Sequence, residues 1–592
     1  MMTSKIVATL RERPLFWLLG LFLPLAVQQW FYRCSPLVSA LNYDTQVTYL
    51  PLARRFLENA SELFSDPSHL LVAPGSFIYL ALFGADESLV IQGNLVLSGV
   101  LLLLVFDALR RIAGLTAATA SAWLIALSPL FPQVLIPPLS EPPQLLCLGV
   151  WLWCCALICE SPQRRWPVLL GGTALLLSIL VRATYVYWTL AAVIACALLI
   201  WRGSQTLKII ARRLLVLHLI AAAGTAAYIA HNKATFDYPM IATGSGAALY
   251  FGINPAVAGY EPPYYGMLHD HFHVLHGTDS HLTIEGDKRL SRIARAELAD
   301  MPLGVLANML VQKAGATLFF SQAKLDRKVF NARAWHIMLV ALALFGLWGY
   351  RRAPYLWMLG CIAAYQVAIM TLAMHGTRYA IGSMELPLTL LAAFGISAIW
   401  QARPRARTLS AAVALVLLGI AAGYLHQRYS RPLMPDLTHV PHRTIAAAEP
   451  SHMQWQGMDG DPFSSEGARS TAKDAYIIWE NLMFPLLGGM PIVQFQGQRF
   501  DQDCDEVGLD YLPPGGPPRS MRMFLNHMRP PQTISIGTLE LDALEPLGGT
   551  LRIRISCPIG TQLQLEDLKI FTVTRGPHYL RQIEQAAKEN AD

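Results

Sequence analysis

Residues 87–111 read ESLVIQGNLVLSGVLLLLVFDALRR, a long apolar run closed by two arginines. A helix that crosses a bilayer needs about 20 mostly apolar residues. A basic pair directly after such a run marks its cytoplasmic end. The pattern recurs along the chain. Candidate spans lie near 15–32, 87–109, 114–132, 142–159, 167–181, 184–201, 214–231, 334–350, 355–374, 379–400 and 408–425.

The basic residues give an independent reading of orientation. Lys5, Arg11 and Arg13 precede the first block. Arg110 and Arg111, Arg164 and Arg165, Arg202 with Lys208, Arg212 and Arg213, Arg351 and Arg352, and Arg403, Arg405 and Arg407 follow the even-numbered blocks. The stretch Ile136–Pro143 on the other side carries none. By the positive-inside rule the N-terminus is cytoplasmic and the C-terminus lies outside. No A-x-A site follows the first block at cleavage distance, so it reads as a retained anchor.

Composition agrees. Of 592 residues, 54% are hydrophobic and 15% charged, with mean hydropathy +0.37. Soluble domains carry about 25% charged residues, so a disordered chain is excluded and the balance argues against an ordinary cytosolic enzyme. The net charge of +6 is modest and unevenly placed, which argues for membrane orientation rather than nucleic-acid binding. The nine cysteines show no zinc spacing. Cys504 and Cys557 face an oxidising side in this topology, where a disulfide and an unpaired state are both open, with Cys34 a third outward candidate.

Three segments lie outside. Residues 33–86 contain the amphipathic stretch Tyr49–Phe64, read as lying along the interface. Residues 232–333 include a helical stretch, Asp287–Leu310. The tail, 427–592, has period-2 runs at Thr533–Leu541, Thr550–Ser556 and Gln562–Val573, separated by turn-rich pieces such as Pro513–Pro518 and Leu547–Gly549. It reads as a separate, mostly β domain.

Ionisable residues at the outer ends of the spans are costly there and mark function. Asp44 follows the first span, Glu141 opens the fourth, Arg182 sits between the fifth and sixth, and His375, Arg378 and Tyr379 lie between the ninth and tenth. On the cytoplasmic side the basic residues read as orientation signals alone. A carboxylate can take a proton from an acceptor hydroxyl, and guanidinium groups hold a leaving phosphate. A divalent metal on Asp44 and Glu141 could share that work. The histidine-rich stretch His269, His271, His273, His276 and His281, with Asp270 and Asp279, could hold a metal, but its spacing matches no firm motif and it reads first as a solvated loop.

In order along residues 10–400 stand Tyr43-Asp44 with Tyr49-x-x-Leu52-Ala53-Arg54, then Leu127-Ser128-Pro129 and Ser140-Glu141-Pro142. Leu180-Val181-Arg182-Ala183-Thr184, His231-Asn232-Lys233 and Gly252-Ile253-Asn254-Pro255 follow. The last is His375-Gly376-Thr377-Arg378-Tyr379 running into Glu385-Leu386-Pro387. This series resembles the GT-C superfamily of membrane glycosyltransferases. It is closest to the family-39-like branch of protein O-mannosyltransferases and the bacterial lipid A aminoarabinose transferase. The resemblance implies a polytopic α-helical membrane protein of about 11 transmembrane helices with a C-terminal periplasmic β-rich domain. The expected boundaries are 1–426 and 427–592.

It also implies an inverting transfer of sugar from a polyprenyl-phosphate-linked donor to a hydroxyl on a glycan, lipid or protein, at the periplasmic face of a bacterial inner membrane. Asp44 and Glu141 are then the catalytic carboxylates. Arg182, Arg378 and Lys233 are the donor-phosphate contacts, and Tyr43, His375, Tyr379 and Asn254 the substrate contacts. One position departs: many members carry a second acidic residue after the first-loop aspartate, where this chain has Thr45. That weakens a two-carboxylate role, and a metal, at this motif.

Each residue also has a plainer reading. Asp44 could cap the helix that follows, Glu141 could favour a helix N-terminus, and Arg182 could snorkel to the interface. His375 and Arg378 could be rim residues. A transporter or flippase of lipid-linked sugars would share the hydrophobicity, but would show midplane charges and two repeated halves; neither is seen. An assembly protein working through the tail would tolerate loss of the outer acidic residues.

Overall fold

A computed structural model of the chain describes residues 17–38, 44–253, 282–319, 332–373, 377–401, 442–447, 453–484, 489–500, 504, 506–512, 519–524, 532–537 and 547–574. The chain divides into two compact units: Met1–Thr243 with Leu325–Ala368 and Arg378–Ala422, and Gly244–Lys324 with Ile369–Thr377 and Gly423–Asp592.

The first unit is helical. A wide π-type turn, Leu18–Phe22, leads into α1 (Leu23–Arg33), and a second, Thr45–Tyr49, leads into α2 (Leu50–Ser65). Then come α3 (Pro74–Ala81), α4 (Glu87–Ala113), α5 (Leu115–Ala126), α6 (Phe131–Leu135), α7 (Glu141–Glu160), α8 (Trp166–Val181), α9 (Val186–Arg202) and α10 (Gln205–Phe236). Among the described residues, five helical segments are long and apolar enough to cross a membrane: Glu87–Ala113, Glu141–Glu160, Ala183–Arg202, Gln205–Phe236 and Pro354–Leu372. Leu115–Ala126, Trp166–Val181, Ala334–Gly349 and Glu385–Gln401 are apolar but shorter. These helices are consistent with a membrane protein. The eleventh block, 408–425, lies outside the described residues.

Sequence marks the ends. Asp86 accepts from the Leu89 N–H and starts α4, and Gly114, at φ 85°, stops it. The left-handed region costs glycine nothing. α7 is apolar all round and buried along most of its length, as a central helix must be. By contrast α9 and α10 expose Tyr187, Leu190, Ile194, Leu198, Val216 and Leu219, an outward apolar face suited to lipid. The amphipathic stretch is helical as expected, but kinked at Asn59. Leu50, Leu52, Ala53 and Leu63 of α2 are buried in a cluster with Phe77 and Leu80 of α3.

Later helices are α11 (Ser245–Gly252), α12 (Ile284–Asp300), α13 (Leu303–Phe319), α14 (Ala332–Gly349), α15 (Pro354–Leu372), α16 (Thr377–Ser383) and α17 (Glu385–Gln401). Two expectations are corrected here. The stretch Asp287–Leu310 is two helices parted at Pro302, whose ring clashes with a continuing helix. The tenth block, 379–400, is broken before Glu385 into α16 and α17.

The tail forms two antiparallel sheets. The strands are β1 (His442–Ala447), β2 (Gln454–Gln456), β3 (Met458–Asp459), β4 (Ala468–Ser470), β5 (Asp474–Phe484), β6 (Gly489–Phe500), β7 (Glu506–Leu512), β8 (Arg519–Phe524), β9 (Gln532–Gly537), β10 (Leu547–Ser556) and β11 (Gln562–Thr574). One sheet runs β3-β4-β11-β6-β9 with β1 also on β11, the other β2-β5-β10-β7-β8. Ala475, Ile477 and Trp479 of β5 and Leu551, Ile553 and Ile555 of β10 alternate with less buried neighbours, so one face of this sheet is core. Leu547–Gly549, expected as a turn, instead opens β10 against Leu482–Phe484, with a bulge between Gly549 and Leu551. Glycine in a strand often marks such a bulge rather than an end. Pro513–Pro518 lies outside the described residues. Cys504 and Cys557 are joined, which resolves the open pairing and leaves Cys34 free and exposed.

Candidate functional site

Glu141 is the first residue of α7, followed by Pro142 and Pro143, which suit a first helical turn. Its side chain is wholly buried. Two arginines meet it there. Arg182 Nη1 donates to Oε1 at 2.5 Å. Arg378 donates to Oε1 from Nε at 2.6 Å and to Oε2 from Nη2 at 3.2 Å. Ser140 Oγ adds a bond to Oε2 at 3.3 Å. A buried carboxylate is tolerable only with this kind of pairing, and removing one partner costs about 3–5 kcal/mol.

The backbone presents both arginines. Arg182 occupies an extended break (φ −158°, ψ 121°) between α8 and the turn Ala183–Tyr185. Tyr365 donates to the Thr184 carbonyl at 2.8 Å, and Tyr185 donates to the Ser383 carbonyl at 2.8 Å. Those two tyrosines brace the break from α15 and against the end of α16. The Arg182 guanidinium lies 4.5 Å above the Tyr379 ring. That is cation–π distance, so Tyr379 backs the plane of the arginine.

Arg378 reaches a second acid. Its Nη1 donates to Asp44 Oδ2 at 2.6 Å. Asp44 sits at the N-cap position of the Thr45–Tyr49 turn but makes no side-chain capping bond. Its carboxylate, 51% exposed, is turned to the arginine instead. Thr45, the departure from the family pattern, is buried and donates to the Pro138 carbonyl at 3.0 Å. Burial opposes charge on Arg378, but the Glu141 carboxylate outweighs it and holds the guanidinium more firmly charged than usual.

The four residues thus form one chain of ion pairs, Asp44–Arg378–Glu141–Arg182. Their donor set does not fit a divalent cation. Both Glu141 oxygens already accept arginine N–H groups, and a guanidinium stands between the two carboxylates. Among the described residues no cluster of three or more metal-ligating side chains occurs.

Of the other expected contacts, Lys233 is among the described residues. Lys233, near the end of α10, is exposed and pairs with Asp237 four residues on. Tyr43, Asn254 and His375 lie outside the described residues, as does the histidine-rich stretch. Sequence reading missed Gly382. A Cβ there would fall 2.8 Å from Glu141 Cγ and 3.7 Å from Arg182 Nη1. Only a hydrogen at 382 leaves room for the carboxylate; a glycine inside an apolar run was the one signal.

The far end of α7 corrects another expectation. Asp107 binds Arg110 at 2.7 Å and Arg111 at 2.6 Å, Arg111 reaches Glu160 at 2.8 Å, and Trp153 Nε1 donates to Asp107 at 2.9 Å. Arg110 and Arg111 are therefore held in structural ion pairs, beyond the orienting role expected of them. The acid lies one turn before the arginines on the same helix, where i,i+3 and i,i+4 residues meet.

No family model and no curated protein matches the chain. Among solved structures, the cryo-EM structure of arabinosyltransferase EmbB from Mycobacterium smegmatis is similar to it, with TM-score 0.16 and 11% identity. The match covers 85% of this chain and 59% of that one, so the chain spans less than two thirds of that protein. A likeness of that size is too weak to assign a fold or an activity.

Proposed function

We propose that the chain is an inverting, GT-C-type glycosyltransferase. It moves a sugar from a polyprenyl-phosphate-linked donor to a hydroxyl acceptor at the periplasmic face of a bacterial inner membrane. One observation carries the reading: two arginines are locked by a single buried carboxylate beside a half-exposed aspartate.

Arg182 and Arg378 hold the donor phosphate and offset the charge that gathers on it as the sugar leaves. Glu141 fixes both guanidiniums; buried and fully engaged, it serves as a positioning carboxylate rather than a proton acceptor. Asp44 is the general base. The acceptor oxygen bonds to the anomeric carbon as the carbon–oxygen bond to phosphate breaks. That electron pair goes to the phosphate oxygen, and the acceptor proton goes to Asp44. The leaving phosphate has low proton affinity and needs no strong acid. Residues 1–426 are the catalytic domain on this reading.

The test is release of polyprenyl phosphate from a panel of lipid-linked sugars by full-length protein in nanodiscs, with acceptor-bearing membrane extract. Wild type should release it and Asp44→Asn should not, with folding intact. Lipid movement across the bilayer without release would replace this reading with a flippase.

A further inference from the structure

Arg378 is shared. Its inner edge, Nε and Nη2, is bound to Glu141, which is wholly buried and gripped by Arg182 as well. Its Nη1 is bound to Asp44, which is half exposed and stands before a π-type turn rather than in a packed helix. Of the two acids on this guanidinium, Glu141 is wholly buried and Asp44 is half exposed, so Asp44 is the partner an incoming phosphate can displace.

We propose that Asp44 and the donor phosphate compete for Nη1 of Arg378, so that seating the phosphate releases the base. The inference rests on the reading of the two arginines as phosphate ligands. Before the donor arrives, the Asp44 carboxylate is engaged by the arginine. Phosphate takes over the Arg378 N–H groups, and the displaced carboxylate turns to the acceptor hydroxyl. Donor binding and base activation become one event. No covalent bond changes in this exchange; one ion pair replaces another. The arrangement also limits attack by water, because the base stays engaged while the donor site is empty.

Competition has a sign that a metal ligand lacks. Removing the Asp44 charge should tighten phosphate binding while abolishing transfer. An exposed or half-exposed ion pair is worth up to about 1 kcal/mol, or about fivefold in affinity.

The probe is polyprenyl monophosphate, titrated onto full-length protein in zwitterionic nanodiscs. Asp44→Asn and Asp44→Ala should both bind about fivefold more tightly than wild type. Glu141→Gln, which loosens the inner edge of the arginine, should bind more weakly. Equal or weaker binding by both Asp44 variants, with unchanged thermal unfolding, overturns the competition and leaves the phosphate site standing. No binding by wild type or either variant overturns the phosphate site and the competition together.

Discussion

The two ends of α7 carry the same charges to different effect. At its start two acids and two arginines, Asp44, Glu141, Arg182 and Arg378, come from four separate stretches. At its end two acids and two arginines, Asp107, Glu160, Arg110 and Arg111, come mostly from one helix. A 20-residue helix separates them by about 30 Å. The distal set is local, and α4 alone builds most of it. The proximal set exists only when the chain is folded, and it uses broken backbone, a π-type turn and a bare glycine to come together. Charge inventory does not mark a site; the structural effort spent on bringing the charges together does.

The sharpest way to break the comparison is to neutralise one acid at each end. Glu141→Gln should lower thermal stability by about 3–5 kcal/mol or its equivalent in Tm, and reduce transfer at least about 100-fold. Glu160→Gln should cost about 1 kcal/mol or less and leave transfer within about twofold. If both variants behave alike in unfolding and transfer assays, the two ends are not different in kind.

Exchanging arginine for lysine tests geometry at fixed charge. Arg378→Lys cannot serve Nε, Nη1 and Nη2 partners together, so polyprenyl-phosphate affinity should fall about tenfold. Arg111→Lys should leave that affinity unchanged.

A smaller effect is expected from Gly382→Ala, whose methyl group must push Glu141 aside. Overpacking of this sort costs about 1–3 kcal/mol, readable by thermal unfolding. An alanine of wild-type stability and activity would show that Glu141 is held less tightly than the ion pairs imply.

The last prediction concerns the inverse case, a buried cation held by backbone carbonyls. Lys313 of α13 is buried and donates to the carbonyls of Gly252, at 2.6 Å, and Ala373. Burial pushes its pKa down from 10.5 to about 7. The folded chain therefore sheds this proton before the unfolded chain does. Between pH 7 and pH 10.5 the stability of wild type relative to Lys313→Met should rise with pH, and below pH 7 the difference should be flat. A falling difference across that window in denaturation at several pH values would contradict the lowered pKa.

Helix positions were legible because apolar runs have hard ends: Asp86 and Gly114 bracket α4, and Arg182 falls in a real break. Strands β9, β10 and β11 overlap the alternating runs, with β10 starting earlier than its run. The break before Glu385 was hidden because apolarity runs on through it. Asp44, Glu141, Arg182 and Arg378 could be nominated from the sequence by chemistry and side of the membrane. Their joining could not, since Asp44 and Arg378 are 334 positions apart and nothing local couples them. The roles of Gly382 and of Asp107 were missed for one reason: each depends on a neighbour's shape rather than on its own type.

The bond between Cys504 and Cys557 has a consequence for how the molecule matures. It ties the approach to β7 to the exit of β10, two strands already paired at Glu506 and Ser556, and spans 53 positions. In the chain-entropy account a closure of that length is worth about 4 kcal/mol. The tail would thus reach full strength only where its two thiols can oxidise. Until then it would remain looser. Thiol oxidation would act as a postmark, separating newly made copies from matured ones.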